Sequence, residues 1–285
     1  MEKFYLWPEP GMPDDASRPS ITFMPVADHE IHPAILVIPG GGYGTVCEST
    51  EGSPIGRKFN ELGYHAFILD YRVAPHRWPE PQLDAMRAMK MIRANSKKWL
   101  VDPDDVAVCG FSAGAHLAGS LGILCGGLDA SAGDEADRFS HLPSLMILCY
   151  GVLSFQPWSH QGTAKNLLGE RYPDFAADYS LPEKVTADTP PAFLFHTISD
   201  QVVPFANSME FASAMAAAGR PCELFLGNWG DHGMLLGKDT LDAVKWPELA
   251  DAFHRSLLLS KTDPEFRQRY TNRYQSRCCS EKELS

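Results

Sequence analysis

The stretch that most constrains this chain is Val106-Ala-Val-Cys-Gly-Phe-Ser-Ala-Gly-Ala-His-Leu-Ala-Gly-Ser-Leu-Gly122. A β-branched apolar run ends in Gly110-Phe-Ser-Ala-Gly114, and a helix rich in small residues follows, so Ser112 falls at a strand-to-helix turn. So short a turn strains the backbone at the serine and brings strand and helix so close that the flanking positions need little or no side chain. Gly110 and Gly114 meet that need, with help from Ala113 and Ala115. A serine placed this way projects its Oγ beyond the carboxyl end of the strand, beside the unpaired N–H groups of the helix start. The pattern G-x-S-x-G is weak alone; the strand before it and the alanine-rich helix after it give it weight.

The rest of the chain supplies partners for that strand. Ala34–Ile38, His65–Asp70, Leu145–Tyr150 and Ala192–Thr197 are short, continuously apolar runs of the kind buried on both faces of a parallel sheet. Cys222–Leu226 reads as the last strand, Ser20–Met24 as an edge strand, and Asp102–Asp105 as a turn. Helical spacing marks Ser53–Leu62, a segment opening at Pro79 or Pro81 and running past Ile92, Phe205–Ala218, and Trp246–Leu259. This alternation predicts an α/β fold: a mostly parallel central sheet with helices on both faces. From Gly151 to Pro191 the periodicity lapses, and Phe155, Trp158, Tyr172, Phe175 and Tyr179 occur among proline, glycine and charge. A small insertion or cap is expected there, over about residues 152–190. With 285 residues, 44% of them hydrophobic, one large core suffices, so residues 1–260 are expected to form a single domain. Met1–Pro19 and the polar tail, residues 261–285, are expected to be peripheral.

Several functions are disfavoured. A formal net charge of −11 repels nucleic acid and anionic membranes, so a neutral small molecule is the expected partner. The N-terminal residues are broken by charge and proline and do not resemble a signal peptide, so a cytoplasmic location is expected. Seven cysteines in no paired spacing predict neither disulfides nor a metal site, and Cys278-Cys279 reads as an exposed tail pair. No cofactor is expected: the glycine run Pro39-Gly-Gly-Gly-Tyr-Gly44 does not match the dinucleotide fingerprint. Four glycines just after a buried strand fit better as a loop that brings backbone N–H groups close to a substrate carbonyl.

Two more loops matter. Asp200 follows the strand ending at Thr197, and His232 follows the strand ending at Leu226. Ser112, Asp200 and His232 thus each come after a strand, in the chain order of α/β-hydrolases. From about Leu6 to Leu236 the chain resembles that superfamily, specifically its acetyl-xylan-esterase-like, hormone-sensitive-lipase-related branch of small carbohydrate esterases. The matching pieces are Pro39-Gly-Gly-Gly-Tyr43, Asp70-Tyr-Arg72, Gly110–Leu117, Asn166-Leu-Leu-Gly169, His196–Asp200 with Val203-Pro204, and Asp231-His-Gly233. Lipases of the related group usually carry histidine where this chain has Pro39; glycine N–H groups do the work, so the role stands.

The resemblance implies the α/β-hydrolase fold and a division of labour. Ser112 attacks an ester carbonyl, His232 takes and returns the proton, and Asp200 orients the imidazole. The amides of Ala113, Gly41 and Gly42 form the oxyanion hole. Tyr43, beside the glycines, and Trp158, in the aromatic insertion, are the candidate substrate-binding side chains. Glu51-Gly52 and Arg72 also match the family pattern, and the work expected of them is to hold the oxyanion loop. His196 and His116 are the rival bases; Asp231 and Asp188 are the rival acids, one adjacent to His232 and one before its strand. The expected activity is serine-dependent removal of acetyl or another short acyl group, the substrate being an acetylated, xylo-oligosaccharide-like sugar. The alternatives are a peptidase or amidase using the same triad, and a non-catalytic binding member of the fold. The sequence leaves a homo-oligomer open.

Overall fold

Continuous apolar runs satisfy their backbone groups only by pairing with one another, and here they do so in one mixed sheet. The structure is a computed structural model and describes residues 1–8, 18–237, 240 and 245–266. The elements in chain order are β1 (Glu2–Tyr5), β2 (Ser20–Met24), β3 (His32–Ile38), α1 (Glu48–Glu51), α2 (Ser53–Glu61), β4 (His65–Asp70), α3 (Glu80–Ala94) and α4 (Ser96–Trp99). They continue with β5 (Val101–Phe111), α5 (Ala113–Ile123), β6 (Met146–Cys149), α6 (Gln161–Leu168), β7 (Ala192–Thr197), α7 (Ala206–Ala217), β8 (Cys222–Gly227) and α8 (Trp246–Thr262). Residues 1–247 cluster as one compact unit and 248–285 as a second, whose described part is α8 from Glu248 onward and the short stretch to Phe266. Most of the polar tail, including Cys278-Cys279, lies outside the described residues.

Among the described residues the sheet has eight strands in the order β1-β2-β4-β3-β5-β6-β7-β8. β1 and β2 run antiparallel to their neighbours; from β4 to β8 every pairing is parallel. The connection from β3 leads to β4 on one side, while the connection from β5 leads to β6 on the other. The carboxyl ends of β3 and β5 therefore flank the switch point where open α/β sheets form a crevice. The glycine loop leaves β3 at that point, and Ser112 leaves β5.

Both faces of the sheet are buried, which is why its strands do not alternate with polar residues. One parity, with Leu36, Phe67, Val108, Leu148 and Leu194, packs with Met86 and Met89 of α3 and Leu117 and Leu121 of α5. The other parity includes Phe111 and Phe195, whose rings lie 6.0 and 5.7 Å from that of Trp246, which also contacts Phe59 of α2 at 6.1 Å. Each fully buried side chain of this size contributes about 1.5–3 kcal/mol.

Two segments differ from expectation. The N-terminus is not wholly peripheral: Glu2–Tyr5 pairs with Ser20–Phe23 and takes the edge, Leu6 is fully buried, and Trp7 Nε1 donates to Asp84 Oδ1 at 2.7 Å. Asp102–Asp105 is part of β5 and not a separate turn. Val101 pairs with His32, the register then shifts, and Val106 pairs with Ala34, so the exposed Asp102 and Asp104 loop outward from a strand that continues past them, while Asp105 is buried.

The segment from 151 to 191 is built on the main sheet. Val152, Leu153 and Phe155 are buried, and α6 docks through Asn166 Nδ2, which donates to Gly42 O at 2.9 Å. Trp78 N donates to Leu167 O at 2.9 Å, and the Arg77 guanidinium bonds the carbonyls of Lys165 and Asn166 at the end of the helix.

Candidate active site

The serine turn has the expected strain. Ser112 has φ 52° and ψ −119°, a conformation that costs an L-residue about 1–3 kcal/mol unless its surroundings hold it. They do so through the backbone: Ser112 N donates to Cys149 O at 3.0 Å, and Ser112 O accepts from Ala115 N at 3.1 Å and Val152 N at 3.2 Å. The close approach of strand and helix is absolute. A Cβ on Gly110 would lie 2.2 Å from Gly114 O, and one on Gly114 would lie 2.2 Å from Ile38 O.

Three loops then meet. Ser112 Oγ and His232 Nε2 are 2.9 Å apart, and His232 Nδ1 is 2.7 Å from Asp200 Oδ2. A carboxylate only accepts, so the imidazole proton sits on Nδ1, which leaves Nε2 to accept from the serine hydroxyl. Asp200 is fixed on its other side, where Oδ1 accepts from Val202 N and Val203 N, both at 2.9 Å. Burial alone would raise the Asp200 carboxyl; hydrogen bonds from His196, His232 and the Val203 amide outweigh it and hold the group well below the usual carboxylate range. The loops bearing the acid and the histidine are stitched together, with Thr197 Oγ1 and Ser199 Oγ donating to Gly230 O at 2.8 and 2.9 Å.

The glycine loop lies against the serine. A Cβ on Gly40 would fall 2.9 Å from Ser112 Cβ. Gly41 and Gly42 have φ of 127° and 64°. Gly41 O accepts from Gly44 N and Thr45 N, and Gly42 O accepts from Asn166, while the amides of Gly41 and Gly42 have no acceptor among the described residues. Ala113 opens α5, so its N–H is one of the donors that a helix start leaves without an intrahelical partner. The arrangement offers a hydroxyl that can lose its proton to an imidazole, beside N–H groups able to receive a developing oxyanion.

The other candidates separate cleanly. Tyr43 does not offer its side chain to a substrate: it has φ 56°, is fully buried, and its hydroxyl bonds His116 Nδ1 at 3.0 Å and accepts from Gln82 Nε2 at 3.3 Å. The ring turns inward because that pair of polar partners lies in the core. Trp158 remains 40% exposed. Arg72 pairs with Asp84 at 2.7 Å and Glu80 at 3.1 Å, anchoring the start of α3. Glu51 does hold that loop, accepting from Gly40 N at 2.7 Å.

Of the rival bases, His116 is buried, stacked on Phe155 at 4.4 Å, bonded to Tyr179 O at 2.8 Å, and lowered by burial to about 4. His196 bonds Ser208 Oγ at 2.8 Å and Val203 O at 2.9 Å, and its Nε2 lies 3.4 Å from Asp200 Oδ2, so it supports the acid. Asp231 and Asp188 point to solvent. Two contributors had no sequence signal of their own: Tyr150, whose ring meets His232 edge-on at 5.2 Å, and Ser208 behind His196. Each is an ordinary residue in an ordinary pattern, given its place only by the fold.

Comparison with known proteins agrees with this architecture. Residues 22–215 match the BD-FAE family. The crystal structure of an acetyl ester-xyloside bifunctional hydrolase from Caldicellulosiruptor lactoaceticus superimposes with a TM-score of 0.83 at 36% identity, covering 90% of this chain and 96% of that one. Endo-1,4-beta-xylanase B of Butyrivibrio fibrisolvens is 35% identical over 72% of this chain and 33% of its own length. The acetylxylan esterase of Xylanibacter ruminicola is 30% identical over 80% of this chain and 46% of its own length. The chain thus spans less than half the length of these two curated relatives. No helix among the described residues is long and apolar enough to cross a membrane. From the sheet with its switch point, the serine turn and the match over most of its length, the chain belongs to the BD-FAE family within the α/β-hydrolase superfamily.

Proposed function

We propose that the chain is a serine esterase that removes acetyl or other short acyl groups from an acetylated, xylo-oligosaccharide-like sugar. The observation that carries the reading is the series Ser112 Oγ, His232 Nε2 and Nδ1, Asp200 Oδ2, joined at 2.9 and 2.7 Å. In the first step Oγ attacks the ester carbonyl carbon while its proton passes to Nε2. The carbonyl oxygen becomes an oxyanion facing the amides of Ala113, Gly41 and Gly42, and the imidazolium is stabilised by Asp200. Collapse expels the alcohol, which takes the proton from Nε2 and leaves an acyl group on Ser112. Water, deprotonated by the same nitrogen, then releases the acid.

The names of the relatives support the choice of an acetylated sugar, and Trp158 and Trp229, both exposed, are aromatic faces available to a sugar ring. Acetate release should therefore be measured across acetylated xylo-oligosaccharides, p-nitrophenyl acetate and peptide anilides. The proposal expects the first two to be cleaved. Cleavage of the anilides with no acetate release would establish the peptidase alternative in its place.

A further inference from the structure

Glu51, at the end of α1, is a buried carboxylate that is not a member of the Ser112–His232–Asp200 series, and it touches what surrounds that series. Its Oε2 accepts from Gly40 N at 2.7 Å, and its Oε1 accepts from Tyr150 OH at 3.0 Å. Gly40 is wedged against the nucleophile: a Cβ there would meet Phe111 O at 2.7 Å as well as Ser112 Cβ. Tyr150, with φ 36° and its N–H donating to Phe195 O at 2.6 Å, lays its ring against His232. One carboxylate thus fixes the backbone entering Gly41 and Gly42 and also the ring on which the imidazole rests.

Stability does not account for a charge in this place. Burial raises the Glu51 carboxyl above its usual value, against the opposing hydrogen bonds from Gly40 and Tyr150 and the charge of His232. An amide of the same shape would fill the site without that desolvation cost. An ionised acceptor holds its donors more tightly than a neutral one, and a negative charge facing His232 favours the imidazolium formed during attack.

We propose that Glu51 is a positioning residue for the esterase reaction: ionised, it aligns the Gly41 and Gly42 amides and the His232 ring on Ser112 together. This rests on the serine-esterase reading above. The titratable groups facing Glu51 are Tyr150, Tyr71, Cys47, Cys149 and His232. The two phenols and two thiols are all raised and stay protonated in acid, so none of them masks a change of charge at Glu51 there.

The test uses the full chain, with kcat and KM for p-nitrophenyl acetate between about pH 5 and 9 and the Tm of each protein. E51Q is expected to lower kcat about tenfold above neutral pH, with KM within about twofold and Tm no lower than wild type. The wild-type to E51Q ratio of kcat should fall toward one as pH drops through the Glu51 titration, because the wild type then carries an uncharged group too, and His232 is common to both proteins. E51A, which leaves Gly40 N–H and Tyr150 O–H unpaired, should be at or below E51Q; should it fail to fold, E51Q decides. Wild-type kcat in E51Q, a loss confined to KM, a Tm that falls with activity, or a ratio flat with pH would each overturn the proposal while leaving the esterase reading intact. A wild type inactive on every acetate ester would instead overturn that reading, and this inference with it.

Discussion

Replacing Asp200 by asparagine tests the relay at the point where the structure leaves the least freedom. The Oδ1 of Asp200 accepts from two backbone amides, Val202 and Val203, both at 2.9 Å. In D200N the amide NH2 cannot sit there, because it would face two donors, so the amide oxygen takes that position and the NH2 turns to His232 Nδ1. Nδ1 must then accept, which moves the imidazole proton to Nε2, the atom 2.9 Å from Ser112 Oγ. A protonated Nε2 cannot take the serine proton. The expected fall in kcat is about 10⁴, or roughly 5 kcal/mol of transition-state stabilisation. The two amide bonds survive, so folding at neutral pH is retained. The lost carboxylate has a signature of its own: with its folded value lowered, Asp200 contributes stability present above the unfolded value of about 3.9, lost only as pH falls through the folded value. D200N lacks that component. The assay is steady-state hydrolysis of p-nitrophenyl acetate beside a thermal melt, and a D200N enzyme within about tenfold of wild-type kcat would refute the tautomer argument.

Other consequences are equally direct. Gly114→Ala sets a methyl group into Ile38 O, and since backbone must shift to admit it, a loss of about 1–3 kcal/mol is expected in urea unfolding, with activity lost alongside; unchanged stability would mean the strand and helix are further apart. His116 is buried neutral with its value lowered to about 4, so its contribution to stability is present above the unfolded value of about 6.5 and is lost as pH falls toward the folded value, by roughly 3 kcal/mol in all. In His116→Gln that part of the acid destabilisation should vanish, and an unchanged slope of stability against pH between those values would contradict it. Asn166→Ala frees the Gly42 carbonyl and is expected to lower kcat about tenfold with little change in KM; a KM effect alone would show that α6 only shapes the binding site.

The central sheet and the three loops were legible because their signals are local. β3, β4, β6 and β7 are unbroken apolar runs, and Ser112 sits between two glycines whose absence of side chain the geometry demands. Asp200 and His232 could be picked from other acids and histidines by following a strand in a known order. What escaped depended on partners distant in sequence. β1 is four residues, two of them charged, and becomes a strand only because β2 offers an edge. α6 is eight residues capped by His160, whose Nδ1 bonds Thr163, instead of by a residue that usually signals a helix start. Tyr43 stands next to the glycines like a substrate contact and is drawn inward by His116 and Gln82, residues 73 and 39 positions away. The support of Asp200 by His196, itself held by Ser208, needs two elements to fold before it exists.

The most direct test of the proposed chemistry is covalent capture. Wild-type protein is treated with a fluorophosphonate, its intact mass measured, and the labelled peptide sequenced. One adduct on Ser112 is expected, absent from S112A and from wild type unfolded before treatment. No adduct on the folded protein, or one carried by a different serine, would contradict the assignment of Ser112 as the nucleophile.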